Sequence, residues 1–111
     1  MILFNTTFSV DANVADAFNR FISDVYVPLA EESKLYSILL TEMRAPAEKN
    51  LLSGQPTRTF ALQMRAPSAK ELEEFRSDVI PEIYGLIGKQ WGPAVAMFES
   101  TLDVIYDHKR K

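Results

Sequence analysis

Residues 2–10 read Ile2-Leu3-Phe4-Asn5-Thr6-Thr7-Phe8-Ser9-Val10, and the character of the side chains alternates along this stretch. Successive side chains of a β-strand point to opposite faces of the sheet. One face would carry Ile2, Phe4, Thr6, Phe8 and Val10, and the other would carry Leu3, Asn5, Thr7 and Ser9. This pattern predicts a strand that is buried on one side only.

The segment after this strand has the apolar spacing of a helix. Asn13 is a favourable N-cap residue, and Asp16 follows it three positions on. The apolar positions at helical spacing are Val14, Ala17, Phe18, Phe21, Ile22, Val25 and Leu29. Pro28 has no N–H to donate to the carbonyl oxygen of Asp24, so we expect a kink or an end near Tyr26-Val27-Pro28.

A second helix is predicted in the second half of the chain. Ser68 and Glu71 have the spacing of a capping box. The apolar positions that follow at helical intervals are Leu72, Phe75, Val79, Ile83 and Leu86. Ile80-Pro81 should interrupt this helix as Pro28 interrupts the first one, and the helix should end near Gly85 to Gly88.

Three further stretches have strand character. They run from Lys34 to Met43, from Arg58 to Arg65 and from about Val95 to Tyr106. The stretch from Arg44 to Pro56 is predicted to be a long loop, because it combines prolines with Asn50 and Gly54. The order βαββαβ predicts a ferredoxin-like α+β fold, with both helices on one face of a four-stranded antiparallel sheet.

The two faces of this sheet are predicted to differ. Aligned by their apolar sides, the strands place Phe4, Phe8, Ile38, Leu40, Phe60, Leu62, Phe98 and Leu102 under the helices. The opposite face would show Leu3, Asn5, Thr7, Leu35, Leu39, Met43, Ala61, Gln63, Met97, Glu99 and Thr101. This face is too apolar for full exposure and too polar for a dry core. We therefore predict a homodimer closed through it, with Leu35, Leu39 and Met43 at the interface.

Length and composition limit the class of protein. A chain of 111 residues, 47% of them hydrophobic, fits a single domain over residues 1–111. Because cysteine is absent, disulfides, cysteine-based zinc sites and thiol nucleophiles are excluded. The net charge of −3 argues against a nucleic-acid partner. The basic run His108-Lys109-Arg110-Lys111 is interpreted as a solvated end.

A membrane partner is not expected either. No stretch approaches the roughly 18 to 20 apolar residues that span a bilayer, and residues 1–6 lack the features of a signal peptide. We therefore expect a cytoplasmic protein.

Four stretches of the chain resemble a bacterial family of domains of unknown function. They are Ile2–Asp11, Tyr26-Val27-Pro28, Phe60–Met64 and Phe98–Ile105. The family has about the length of this chain and the dimeric α/β-barrel fold. The resemblance therefore implies that fold and a homodimer. It implies no catalytic residues, because the family has no established activity.

Polar residues of the predicted outer face are the candidates for ligand binding. They are Asn5, Thr7, Gln63, Arg65 and Glu99, with Thr101 beside them. One interpretation is a hydrated dimer interface, since interfaces carry about one hydrogen bond per 100 to 200 Å². The other is a small-molecule pocket between two sheets, in which the guanidinium of Arg65 binds an anion.

The residues needed for catalysis are not grouped in this sequence. The adjacent pairs Glu31-Glu32 and Glu73-Glu74 point to different sides of a helix, so they do not predict a metal site. Dimeric α/β barrels also include cofactor-free monooxygenases and haem-degrading enzymes, and Asn5 and Trp91 resemble residues that they use. The histidine of their second helix is missing here.

We therefore predict a non-enzymatic homodimeric module that binds a small ligand or another protein, with no metal and no cofactor. A cofactor-free monooxygenase or isomerase that acts on a small organic molecule is the alternative.

Overall fold

The strand that opens the chain lies in the middle of the sheet. The computed structural model describes residues 1–44 and 48–107, so the basic run from His108 to Lys111 lies outside the described residues. β1, Ile2–Asp11, buries its even-numbered side chains from Phe4 to Val10 and leaves the odd-numbered ones from Leu3 to Ser9 partly exposed. The predicted strand with one buried side is confirmed.

The first helical region has three parts. After a 3₁₀ turn at Ala12–Val14, α1 covers Ala15–Phe21, a π-helical segment covers Ile22–Tyr26, and α2 covers Val27–Glu32. Pro28 cannot donate a backbone hydrogen bond, and the wider π turn directly before it accommodates that loss. The expected distortion near Pro28 is this π segment, and the helix continues beyond it.

The next strands form a hairpin with a long connection. β2, Tyr36–Glu42, pairs antiparallel with β4, Pro56–Ala66. Between them a two-residue strand, β3, Glu48–Lys49, pairs with the start of β4. The predicted loop from Arg44 to Pro56 therefore contains a short strand, and residues 45–47 lie outside the described residues.

The second helical region begins at the predicted capping box. Oγ of Ser68 accepts a hydrogen bond from the backbone N–H of Glu71 at 3.5 Å. α3 covers Ala69–Asp78, and α4 covers Ile80–Trp91 after a break at Val79 beside the proline. A 3₁₀ turn at Gly92–Ala94 then leads into β5, Val95–Asp103. α4 thus continues past the end that the glycines predicted.

The long strands are ordered β2-β4-β1-β5, and every pair is antiparallel. Buried side chains of both helical regions and of one sheet face belong to the same core cluster. Both helical regions therefore cover one face, as the predicted βαββαβ fold requires. No helix in the described residues is long and apolar enough to cross a membrane.

Aromatic rings hold the helices on the sheet. The rings of Phe8 and Phe18 meet edge-on with centroids 4.9 Å apart, and those of Phe4 and Phe75 meet at 5.9 Å. The ring of Trp91 lies 5.5 Å from that of Phe18. These contacts join β1 to α1 and α3, and join α1 to the end of α4.

The predicted assignment of faces is wrong for β5. Phe98 is 61% exposed, and both it and Leu102 lie on the face away from the helices. The register places Phe98 opposite Thr7 and Leu102 opposite Leu3, which are outer residues of β1. Met97 packs against the core instead. On the edge strand β2, Leu40 faces the helices as predicted, but it is only partly covered.

Candidate functional site

The sheet face opposite the helices, called the open face below, is not covered by any helix of the described residues. It carries Leu3, Asn5, Thr7 and Ser9 of β1, Tyr36, Leu39 and Thr41 of β2, Ala61, Gln63 and Arg65 of β4, and Phe98, Ser100 and Leu102 of β5. All of these residues are exposed or half-buried. Leu39 is 57% exposed. Because monomers rarely expose wide apolar patches, this face is the first candidate for function.

A cavity of about 530 Å³ opens at one end of the open face. Its lining residues are Met1, Tyr36, Ser37, Leu39, Gln63, Arg65 and Asp107. Polar residues form more than half of this lining, Met1, Tyr36 and Leu39 supply its apolar part, and the volume lies within the usual range of small-molecule sites.

Arg65 supplies the positive charge of this cavity. It stands between Leu3 of β1 and Tyr36 of β2 in the sheet register. Its Nη1 lies 3.6 Å from Oδ2 of Asp107 and also contacts the sulfur of Met1. The distance to Asp107 exceeds the roughly 2.7 to 2.9 Å of a charge-assisted hydrogen bond. A ligand carboxylate could therefore bind the guanidinium more closely than Asp107 does.

Four of the predicted ligand residues share the open face. Asn5 stands directly opposite Gln63 in the register, and its Nδ2 donates a hydrogen bond to Oγ1 of Thr7 at 2.9 Å. Of the predicted set, Gln63 and Arg65 line the cavity, whereas Asn5 and Thr7 lie outside its lining. The polar residues therefore divide into a pair at the cavity and a pair on the sheet beside it.

The predicted placement of Glu99 is wrong. Glu99 stands opposite Thr6 and faces the helices, where its Oε1 accepts a hydrogen bond from Nε of Arg76 at 3.3 Å. This bond raises the pKa of the Arg76 guanidinium. Thr101, opposite Phe4, lies on the helix side for the same reason. The odd-numbered residues of β5 face the helices because they pair with the buried, even-numbered residues of β1, and this is the opposite of the predicted facing.

The predicted interface is wrong at Leu35. That side chain is 3% exposed and belongs to the core. The register of β2 on β4 shifts between Tyr36 and Leu39, and Ser37 between them has φ of +52°. This β-bulge places Tyr36 and Leu39 on the same face, so Tyr36 occupies the place predicted for Leu35. Leu39 and Met43 are exposed, as an interface would require.

Comparison with known families identifies the chain. One family model matches residues 1–105. The chain belongs to the DUF4286 family, whose members are domains of unknown function. The resemblance drawn from its sequence is thereby confirmed. Among curated proteins, none matches this DUF4286 chain.

Solved structures share the fold of this DUF4286 domain at low sequence identity. A "putative antibiotic biosynthesis monooxygenase" from Deinococcus radiodurans has a TM-score of 0.67 and 11% identity, covering 100% of this chain and 99% of its own. HapK from Hahella chejuensis has a TM-score of 0.64 and 10% identity, and the match covers 100% of this chain and 99% of HapK. A dimeric ferredoxin-like protein from an uncultured marine organism has a TM-score of 0.62 and 14% identity, and the match covers 99% of this chain and 100% of that protein. These likenesses show the ferredoxin-like fold.

The two residues that suggested a monooxygenase do not meet in the DUF4286 chain. Asn5 lies on the open face, opposite Gln63 and Ser100. Trp91 lies on the helix side, with its ring edge-on to those of Phe18 and Phe21. The sheet lies between them, so they do not face a common cavity within one chain. In the described part of the chain, no three His, Cys, Asp or Glu side chains group as metal ligands would.

Sequence reasoning missed Tyr36 and Ser37. Both line the open-face cavity and also a second cavity on the helix side of β2. Their position depends on the bulge, and the alternation of Tyr36, Ile38 and Leu40 predicts a regular strand instead. Serine does not favour a positive φ, so no residue type marked the irregularity.

Proposed function

We propose that this DUF4286 protein is a homodimeric binding module that holds a small organic anion between its two sheets, with Arg65 as the anchor. One observation carries the proposal: the uncovered sheet face exposes large apolar side chains around a cavity that contains a guanidinium. Burial of the apolar groups favours the dimer, and the guanidinium gives the enclosed space a charge preference.

Dimer formation is supported by the position of the exposed apolar groups. Leu39, Phe98 and Leu102 lie on the same face, although β2 and β5 are opposite edges of the sheet. A second copy placed against this face by a two-fold axis would cover all of them, since each chain presents the same surface. The dimeric ferredoxin-like neighbour supports such a pair.

The preference for an anion is supported by the partner that Arg65 already has. Asp107 brings a carboxylate to 3.6 Å of the guanidinium, and both groups are only half-buried. A planar carboxylate on an apolar body could displace Asp107, form a bidentate pair with Arg65 and place its body against Tyr36 and Leu39. An aromatic or aliphatic carboxylic acid is therefore the proposed ligand class.

Fluorescence titration with 8-anilinonaphthalene-1-sulfonate, an apolar anion, tests the proposal. We expect saturable binding by the wild type, competition by benzoate, and affinity about tenfold lower for Arg65→Gln. Arg58→Gln is the matched control, because Arg58 lies on the helix side and pairs there with Glu42. Light scattering should show that both variants remain dimers. Equal affinity of Arg65→Gln and wild type would remove Arg65 as the anchor.

A cofactor-free oxygenase or isomerase remains the second candidate. It is favoured by the fold shared with proteins whose names mention antibiotic biosynthesis monooxygenases. The same variants separate the two candidates once a bound ligand is identified. In an enzyme, Arg65→Gln or Asn5→Ala would lower turnover of that ligand while the dimer persists.

A further inference from the structure

A second cavity, of about 560 Å³, lies between the first helical region and the edge strand β2, and it is called the helix-side groove below. Its lining residues are Ser23, Val27, Glu31, Leu35, Tyr36, Ser37, Ile38, Leu40 and Leu62. Ser23, Val27 and Glu31 are four residues apart, so they form one stripe along the helix. The stripe is one wall, and the bulged part of β2 is the other.

Two irregular stretches of backbone meet at this groove. Ser23 belongs to the π-helical segment Ile22–Tyr26, and Ser37 has φ of +52° at the bulge of β2. Single π turns and left-handed conformations of residues other than glycine cost energy, and both are frequent at functional sites. Pro28 accounts for the π turn. The bulge at Ser37 allows Leu35 to lie in the core and Tyr36 on the open face, and its residues also line the groove.

The charge of the groove indicates the kind of ligand. Its interior is apolar, formed by Val27, Leu35, Ile38, Leu40 and Leu62. Glu31 is its ionisable carboxylate, and none of the described lysines or arginines belongs to the lining. Glu31 takes part in none of the ion pairs between described residues. The nearby ammonium group of Lys34 acts on Glu71, whose pKa it helps to lower. A cation would therefore complement this groove.

We propose that the helix-side groove binds a small organic ammonium compound, with the ammonium at Glu31 and the apolar body against Val27 and Ile38. The serine hydroxyls at positions 23 and 37 can accept further hydrogen bonds. This site lies on the opposite side of the sheet from Arg65 and prefers the opposite charge. The linings of the two cavities share Tyr36 and Ser37, whereas their charged groups, Glu31 and Arg65, are different.

Titration with 2-phenylethylamine, followed by backbone NMR shifts, tests the proposal. The uncharged analogue 2-phenylethanol is the ligand control. We expect saturable shifts confined to the groove, and binding about fivefold weaker for Glu31→Gln. Glu32→Gln is the matched control, because that neighbouring carboxylate is exposed and does not line the groove; it should bind as wild type does. Val27→Trp should block the groove and abolish the shifts.

Two results would overturn the proposal. One is the absence of saturable shifts up to about 10 mM amine, the range of very weak binding. The other is equal affinity for the amine and the alcohol with no effect of Glu31→Gln, because the groove would then be a site for apolar molecules of any charge. Circular dichroism of each variant shows whether the fold is retained.

Discussion

Tyr26 and Thr6 form a polar pair inside the aromatic core. Both side chains are fully buried, and their hydroxyl oxygens lie 3.1 Å apart. Burial raises the pKa of the Tyr26 hydroxyl above its ordinary value, and the bond to Thr6 opposes this only in part. Since a buried hydroxyl without a partner is costly, the pair fixes the π segment over β1.

The Tyr26→Phe variant should show how this pair responds to pH. Below about pH 10 Tyr26 is neutral in both states, and we expect the variant to be about 0.5 to 1.5 kcal/mol less stable because the bond is lost. Above that pH the unfolded tyrosine ionises while the buried one does not. Wild-type stability should then fall by about 1.36 kcal/mol per pH unit.

The variant lacks this loss, so the two stabilities should become equal between about pH 10 and pH 11. The other tyrosines are present in both proteins and cancel in the difference. Urea unfolding at several pH values between about 7 and 11 measures it. A difference that stays constant over this range would show that Tyr26 ionises equally in the folded and unfolded states.

For the strands, the sequence predicts which face of β1 and of β4 is buried, but it does not predict which face of β5 is buried. In β4, large apolar side chains at Phe60, Leu62 and Met64 alternate with smaller or polar ones, so the buried face is evident and Gln63 and Arg65 follow on the other. In β5, Met97 and Phe98 are both large and apolar. Alternation shows that this segment is a strand, but it does not show which of its two faces is buried. Only the pairing of β5 with β1 decides this.

The candidate site was predictable only as far as regular strands extend. Gln63 and Arg65 lie on the open face because β4 is regular. Tyr36 lies on the open face because of the bulge at Ser37, and no residue type in this segment predicts that bulge. Asp107 approaches Arg65 because of the path of the chain after β5, and this path has no periodic pattern.

Two phenylalanines on opposite faces of the sheet provide a test of this assignment. Phe60 is 3% exposed under the helices, where its ring lies 6.2 Å from that of Phe18, and Phe98 lies on the open face. Phe60→Ala should lower the free energy of unfolding by about 3 to 5 kcal/mol. Phe98→Ala should lower the free energy of unfolding of the isolated chain by less than about 1 kcal/mol, although it should weaken a dimer.

Urea unfolding at several protein concentrations separates these two effects, because only dimer stability depends on concentration. A small loss of stability for Phe60→Ala, together with a large and concentration-independent loss for Phe98→Ala, would show that the two faces of the sheet are assigned the wrong way round.

For the whole molecule, the sheet separates two surfaces of different character. The helix side contains the aromatic core and the groove with Glu31, and the open face contains exposed apolar groups and Arg65. Pairing of two chains through their open faces would enclose the Arg65 cavity and leave the helix-side groove toward solvent. The oligomeric state therefore determines whether the anion site is enclosed.

Leu39 is the residue whose substitution should reveal the dimer. It lies on the open face, it is 57% exposed, and the polar side chain of Gln63 stands opposite it on β4. In a two-fold pair, an aspartate at this position would be desolvated once in each chain, and two carboxylates would replace two apolar side chains. We expect Leu39→Asp to convert the dimer into a monomer or to aggregate. The matched control is Leu51→Asp, because Leu51 is 99% exposed in the loop after β3.

Light scattering after size exclusion at roughly 50 µM, where an interface of ordinary affinity is occupied, measures the mass directly. Wild type and Leu51→Asp should have the mass of two 12.6 kDa chains, and soluble Leu39→Asp should have the mass of one. Because the single chain buries its core under its own helices, the monomer should retain its far-UV circular dichroism. A monomeric wild type would remove the open-face dimer from consideration. So would a Leu39→Asp variant that remains dimeric and as stable as wild type, because an apolar interface cannot accept two carboxylates in place of two leucines without a loss of affinity.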